Sequence, residues 1–308
     1  MLYVLWHKVP DTDAITSALV YAHFLNQNWS QAQAIALWNP NKETLFVLSQ
    51  AGVSMPDVIT QLESWSMIAL VDHNESAQSI DNRSDYMIHS VIDHHKIGDL
   101  ETWYPLLLRF EALASTNSVL YKMYKELWVT IDKQIATLML GGILSDTLHF
   151  RSPTTTEFDK QIVQELSIIA EVDDIEWFAM QMFAAKSDLG NISAYTLIKE
   201  IDFKDFTFGN LKAGIACIET TNPDYCLNRK DEILNTIRDI KSGEWYDFFL
   251  FCVIDIIAEK NTTLVASTTE SDIIKNTFWV QTIDGLADLG DRISRKKTIV
   301  PPLEVTLV

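Results

Sequence analysis

Four short apolar runs stand in the first third of the chain: "LYVLW" (2–6), "AQAIALW" (32–38), "SMIALVD" (66–72) and "MIHSVID" (87–93). Their length and β-branched content are those of buried strands. Between them the apolar positions change to a helical period. Ile15, Ala18, Leu19, Ala22 and Leu25 share one face of residues 14–27, and "KETLFVLSQAG" reads as a short helix closed by Gly52. The order βαβαβ predicts an α/β fold with a doubly wound parallel sheet. In such sheets ligands bind at the carboxyl ends of the strands.

From about 116 to 186 the pattern is mostly helical, through "STNSVLYKMYKELW", "DKQIATLMLGGIL", "TTTEFDKQIVQELSIIA" and "DIEWFAMQMFAAK". The polar stretch "SDLGNIS" (187–193) then reads as a linker. After it come "FTFGNLKAGIACIE", a helix in "RKDEILNTIRDIKSG", a strand-rich "YDFFLFCVIDIIAEKNTTLVAST" and a basic "SRKK". The expected organisation is a domain over 1–187, a linker over 188–193 and a smaller α/β domain over 194–308. No internal repeat is visible.

A hydrophobic content of 47% in 308 residues is enough for two cores of ordinary size. Lysine and arginine total 24 against 42 acidic residues, so the formal charge is 24 − 42 = −18. A field of that sign repels nucleic-acid phosphates and suits a protein that handles cations. Cys217, Cys226 and Cys252 are an odd number without CxxC spacing, as expected of buried thiols in a reducing compartment. The N-terminus has no secretory pattern. The longest apolar run, "WYDFFLFCVIDIIA", is broken by Asp247 and Asp255 and is too short to span a bilayer. A cytoplasmic protein with no nucleic-acid and no membrane partner is expected.

Three of the four strands end in metal-type ligands. The first leads to His7, Asp11 and Asp13, the third ends in Asp72 and His73, and the fourth in Asp93, His94 and His95. Asp146 follows an apolar helix in "GGILSDTLHFRSPTTT". Taken singly, Asp13 reads as a helix N-cap and a strand-terminal Asp as a turn residue. Taken together they converge, because parallel strands bring their carboxyl ends to one crevice. Several carboxylates packed there need cations to neutralise them. Mixed imidazole and carboxylate donors suit Mn²⁺, Co²⁺, Zn²⁺ or Fe²⁺ better than Ca²⁺.

"HKVPDTDAI", "LVDHNE", "VIDHH", "GGILSDTLHFRSPT" and the late "SRKK" resemble the family II inorganic pyrophosphatases of the DHH phosphoesterase superfamily, in order and over nearly the whole chain. A DHH triplet alone is shared with nucleases and cyclic-dinucleotide phosphodiesterases. HxxPDxDA near the start with SRKK near the end is much narrower. The resemblance implies a DHH domain followed by a DHHA2-type domain. It implies one metal held by His7, Asp11 and Asp72, and a second held by Asp13, Asp72, His94 and Asp146. Asp93 would orient an imidazole; His95, Lys204, Arg295 and Lys296 would meet the substrate. The implied reaction is hydrolysis of diphosphate to two phosphates between the domains, through a water activated by two Mn²⁺ or Co²⁺ ions, with Mg²⁺ accompanying substrate. Opening and closure about the linker and a homodimer through an edge of the N-terminal sheet are also implied.

The chain departs from the family pattern in three places. "ASTNS" stands where a glycine-cysteine-threonine turn is usual, His149 where an aliphatic residue is usual, and Phe203 where a small residue precedes the lysine. The alternatives are a sister phosphodiesterase or exopolyphosphatase, and a silent metal-binding regulator. Trp6, Trp38, Trp65, Trp103, Tyr104, Tyr121 and Tyr124 read as core or interface residues. His23 and His89 read as packed side chains. His73 would point away from the crevice if its strand continued, and Glu75 would help to order that loop.

Overall fold

A computed structural model describes residues 1–28, 31–56, 58, 59 and 61–308. The chain divides into two compact units, Met1–Lys186 and Ser187–Val308. Among the described residues no helix is long and apolar enough to cross a membrane.

In the first unit, strands β1 (Leu2–Leu5), β2 (Ala32–Ile35), β3 (Met67–Val71), β4 (Met87–Asp93) and β5 (Leu107–Phe110) form one sheet in the order β2-β1-β3-β4-β5. Every pairing is parallel, so all five carboxyl ends lie along one edge. After β2 the chain crosses back to the other side of β1, which makes the β1/β3 border the topological switch point. The predicted strands are all present, shortened by a residue or more at their ends except for β4, which coincides with 87–93. Strand β5 lies in "LLLRF", where no strand was expected. It is a four-residue edge strand whose side chains are half-buried or exposed, so neither alternation nor an apolar run marks it.

The helices of this unit are α1 (Thr12–Gln27), α2 (Lys42–Ala51), α3 (Thr116–Glu126), α4 (Lys133–Thr147), α5 (Glu157–Ala170) and α6 (Ile175–Ser187). Helix α2 closes at Gly52, whose φ of +66° is the left-handed conformation a terminal glycine supplies. Helix α4 is buried on all sides over Ile135–Ser145 and packs against α1, α2, α3 and α5, as its unbroken apolar run requires. Leu5, Ile35, Leu37, Ile68, Leu70, Ile80, Ile88 and Val91 form one core cluster.

The second unit holds α7 (Ala194–Lys199), α8 (Asp224–Leu227), α9 (Lys230–Glu244), α10 (Thr268–Phe278) and α11 (Val300–Leu307). Its strands are β6 (Phe203–Phe208), β7 (Leu211–Thr220), β8 (Phe248–Asp255), β9 (Lys260–Leu264) and β10 (Leu286–Gly290), in the order β10-β9-β8-β7-β6. Only β7 and β8 are parallel. The three cysteines are buried and unbridged. Residues 188–193 carry no helix or strand.

The aromatic residues divide. Trp6, Tyr121 and Tyr124 are buried, whereas Trp38, Trp65, Trp103 and Tyr104 are exposed. Apolar neighbours in sequence did not place those four in the core, because each lies in a loop or turn; Trp65 sits at φ +67° just ahead of β3. His23 packs on Tyr124 and binds its hydroxyl at 2.8 Å, and His89 lies 3.1 Å from Ser90 Oγ.

Gly141 of α4 lies against Val47 of α2. A Cβ there would lie 2.5 Å from Val47 Cγ1 and 3.2 Å from Val47 Cβ, so rotating the valine gives no relief. Gly141→Ala should therefore lower unfolding free energy by about 1–3 kcal/mol in denaturant melts. Val47→Ala added to it should recover part of that loss; a neutral single substitution would mean that α2 simply shifts.

Candidate metal centre

His7 follows β1. Asp11 is the N-cap of α1, its carboxylate accepting Ala14 N–H at 2.9 Å. This corrects the N-cap reading of Asp13, because the helix starts two residues earlier and Asp13 lies in its first turn, fully buried. Asp72 ends β3 at φ +61°, Asp93 ends β4 with His94 and His95 beyond it, and Asp146 lies in the last turn of α4.

These side chains meet at the switch point. His7 Nε2 lies 3.4 Å from Asp72 Oδ2 and 3.9 Å from Asp11 Oδ2. His94 Nε2 lies 3.4 Å from Asp72 Oδ1 and 3.5 Å from Asp146 Oδ2. Among the described residues three groups each offer donor atoms within 4.8 Å of one another: His7, Asp11 and Asp72; Asp13, His94 and Asp146; Asp72, His94 and His95.

Their protonation follows from burial and mutual charge. Burial opposes ionisation of Asp72, but His7 and His94 on its two oxygens hold its carboxyl well below the usual range. Burial and the neighbouring charge of Asp72 push Asp13 up to about 7. Burial works against a charged His7, yet Asp72 and Asp11 raise it to about 9. His7 Nδ1 lies 2.8 Å from Lys8 O and His94 Nδ1 3.1 Å from Leu113 O. A neutral ring donating through Nδ1 then turns its Nε2 lone pair toward the carboxylates.

The donor set fits divalent cations. Asp72 Oδ2 is buried and accepts no well-formed hydrogen bond. An oxygen left so is costly unless a cation takes the place of a donor. Imidazole nitrogens and carboxylate oxygens together are the ligands of Mn²⁺, Co²⁺ or Zn²⁺. Three groups could share Asp72 or His94 between two ions.

"ASTNS" holds the carboxylates in place, a role that its sequence did not announce. Ser115 Oγ donates to Asp13 Oδ1, Thr116 N–H to Oδ2 at 2.7 Å and Asn117 Nδ2 to Oδ1 at 2.7 Å. Thr116 Oγ1 donates to Asp72 Oδ1 at 2.9 Å. Asp13 thus lies at the N-terminus of α3, where orphan N–H groups and the helix dipole favour a negative charge. Buried Asp159 braces this turn, accepting Ser118 Oγ at 2.6 Å and Ala114 N–H at 3.2 Å.

Asn74 was missed as well. Its Nδ2 donates to Asp93 Oδ2 at 2.7 Å, and its Oδ1 accepts Gly98 N–H. Asp93 Oδ1 in turn accepts His95 N–H at 3.0 Å and pairs with His95 Nδ1 at 2.9 Å, so the imidazole that Asp93 orients is His95. His73 is turned away from the cleft, with Nδ1 2.9 Å from Val71 O and Nε2 3.2 Å from Ser79 Oγ; burial pulls it down to about 4. His149 lies in a left-handed turn, 3.2 Å from an Arg151 nitrogen. A buried polar contact between distant segments carries no local periodicity, so neither Asn74 nor the 115–117 turn was visible beforehand as part of the site.

In the second unit Lys204 is on β6, and Arg295 and Lys296 open the one-turn π-helix Arg295–Ile299. The Arg295 guanidinium donates to Asp202 O at 3.0 Å and Asp202 Oδ1 at 2.6 Å, two residues before Lys204.

Family models match both halves of the chain: "DHH family, N-terminal domain" over residues 1–143 and "DHHA2 domain" over 180–306. A Deinococcus radiodurans protein named "Probable manganese-dependent inorganic pyrophosphatase" is 47% identical, covering 99% of this chain and 98% of its own. A Staphylococcus epidermidis protein of the same name is 39% identical over 99% and 98%. The crystal structure of a "putative family II inorganic pyrophosphatase" from Methanococcus jannaschii superposes with a TM-score of 0.85 at 35% identity, covering 100% and 99% of the two chains. An exopolyphosphatase-related protein from Bacteroides fragilis, at 18% identity and a TM-score of 0.51, shares the fold. With both domains matched in order and identity sustained over the full length, this chain belongs to the family II, manganese-dependent inorganic pyrophosphatases.

Proposed function

We propose that this protein hydrolyses diphosphate to two phosphates at a centre of two Mn²⁺ ions, with Co²⁺ as a substitute and Mg²⁺ accompanying the substrate. The observation that carries this reading is the pair of ligand groups meeting at Asp72 and His94. His7, Asp11 and Asp72 would hold one ion; Asp13, Asp72, His94 and Asp146 the other, with Asp72 common to both. Divalent ions supply positive charge to phosphoryl oxygens and lower the pKa of water from about 15.7 toward about 7.

The chain's own residues would do the rest. Asp93, itself held by Asn74, fixes the His95 ring and its hydrogen-bonding face toward substrate. Lys204, Arg295 and Lys296 would neutralise the substrate's phosphoryl oxygens; Arg295 suits a two-point contact and the lysines act as point charges. Attack of water on one phosphorus breaks the bridging P–O bond; the departing phosphate takes the electron pair, and the two protons of the water end one on each phosphate, so that P2O7⁴⁻ and H2O give two HPO4²⁻. Most of the rate enhancement is then positioning and charge stabilisation. Residues 188–193 would serve as the hinge for opening and closing. A cytoplasmic location accords with this chemistry.

We further propose a homodimer formed through the open edge of β5. Leu107 and Leu108 are 49% and 47% exposed on this edge strand, and the edge of a sheet is where another strand can pair. Leu108→Lys should shift the mass seen by light scattering from dimer to monomer; an unchanged mass would rule this edge out.

Metal-stripped protein should release phosphate from diphosphate when Mn²⁺ or Co²⁺ is restored, and far less from tripolyphosphate or a dinucleotide. Asp72→Ala should lose about 10³-fold in kcat, the equivalent of several kcal/mol of charge stabilisation. Preference for the dinucleotide or longer chains would move the protein to a sister phosphoesterase activity.

Metal binding should also release protons. His7, raised to about 9, and Asp13, raised to about 7, hold protons in the metal-free protein below those values, and an ion must displace them. Mn²⁺ affinity should therefore rise as pH increases from 6 to about 9. Calorimetry at pH 7 in buffers of different ionisation heat should register proton release, and a buffer-independent heat would contradict this.

A further inference from the structure

Glu43 lies in the first turn of α2 and is fully buried. An ionisable side chain in such a place costs several kcal/mol unless it is well bonded, and a leucine would fill the same space without that cost. Its Oε2 accepts two hydroxyls, Thr12 Oγ1 at 2.8 Å and Ser145 Oγ at 2.9 Å. Thr12 stands between Asp11 and Asp13, and Ser145 directly precedes Asp146. One carboxylate oxygen therefore joins the N-terminus of α1 to the last turns of α4, while the positive end of α2 favours its charge.

The two ligand groups depend on that join unequally. His7, Asp11 and Asp72 come from the ends of β1 and β3 and the start of α1. Asp13, His94 and Asp146 form the group that spans α1 and α4. A change in the α1–α4 spacing alters the second group and leaves the first in register.

We propose that Glu43 is a positioning residue that sets the separation of Asp13 and Asp146, and with it the affinity of one of the two metal positions. This rests on the two-metal reading above. Glu43→Gln can place its carbonyl oxygen where both hydroxyls donate, whereas Glu43→Leu removes the acceptor and Ser145→Ala removes the α4 side of the join.

The test is a Mn²⁺ titration of the metal-stripped, full-length protein, following bound ion by calorimetry and free Mn²⁺ by electron paramagnetic resonance. Wild type and Glu43→Gln should bind two ions alike. Glu43→Leu and Ser145→Ala should weaken one position about 10- to 100-fold, the usual effect of losing an outer hydrogen-bond partner, and leave the other within about twofold. Ser145→Ala decides the outcome if Glu43→Leu does not fold. Equal weakening of both positions, unchanged binding in Ser145→Ala, or a Glu43→Gln loss as large as that of Glu43→Leu would each overturn the proposal. A wild type that binds no Mn²⁺ would overturn the two-metal reading itself, and this inference with it.

Discussion

Asp72 is a carboxylate withdrawn from water at the border between β1 and β3, with an imidazole facing each of its oxygens. Like charges stand close by in Asp13, Asp11 and Asp146, and the repulsion between them would keep such a cluster protonated or apart if nothing compensated it. The first unit supplies that compensation in layers. Imidazoles come from the ends of β1 and β4, a helix N-terminus comes from α3, and hydroxyl and amide donors come from Ser115, Thr116 and Asn117. The remaining deficit at Asp72 Oδ2 matches what a divalent cation provides.

The compensation works because the groups that provide it are themselves held. Asp159 fixes the turn before α3, Asn74 fixes Asp93, and Asp93 fixes His95. Most of the clustered side chains sit at strand ends or in terminal helical turns, whose positions are set by packing of the apolar layers beneath. Part of the backbone strain lies here as well: Asp72 is left-handed at φ +61°, and Leu148, His149 and Phe150 follow α4 at +48°, +51° and +70°. Conformations of this kind cost on the order of 1–3 kcal/mol each and persist where surrounding contacts over-determine them.

Much of the site was legible from residue order alone. Apolar runs alternating with helical segments announced parallel strands, and parallel strands have their carboxyl ends at one edge, so ligand-type residues after three of the four strands implied convergence. His7, Asp11, Asp13, Asp72, His73, Asp93, His94 and His95 were reached in that way, the family resemblance narrowed the metal set to His7, Asp11, Asp13, Asp72, His94 and Asp146, and the structure groups the donor atoms of these six. The edge strand β5 was not legible because its side chains are neither alternately buried nor wholly apolar. Four exposed aromatics, Trp38, Trp65, Trp103 and Tyr104, were left between core and interface for a related reason: loops carry large apolar residues without any periodic signature.

The sequence by itself determined the order of the first four strands, the helical stretch after them, the division at about residue 187 and the chemical type of the clustered side chains, since these follow from periodicity and residue identity over short spans. The tertiary structure alone decided which carboxylate caps α1, which imidazole Asp93 orients, and which donors hold Asp13. Those partners lie up to about a hundred residues apart, as Asp13 and Ser115 do. Hydrogen bonds over such separations depend on where packed helices and strand ends come to rest, and no local pattern encodes that distance.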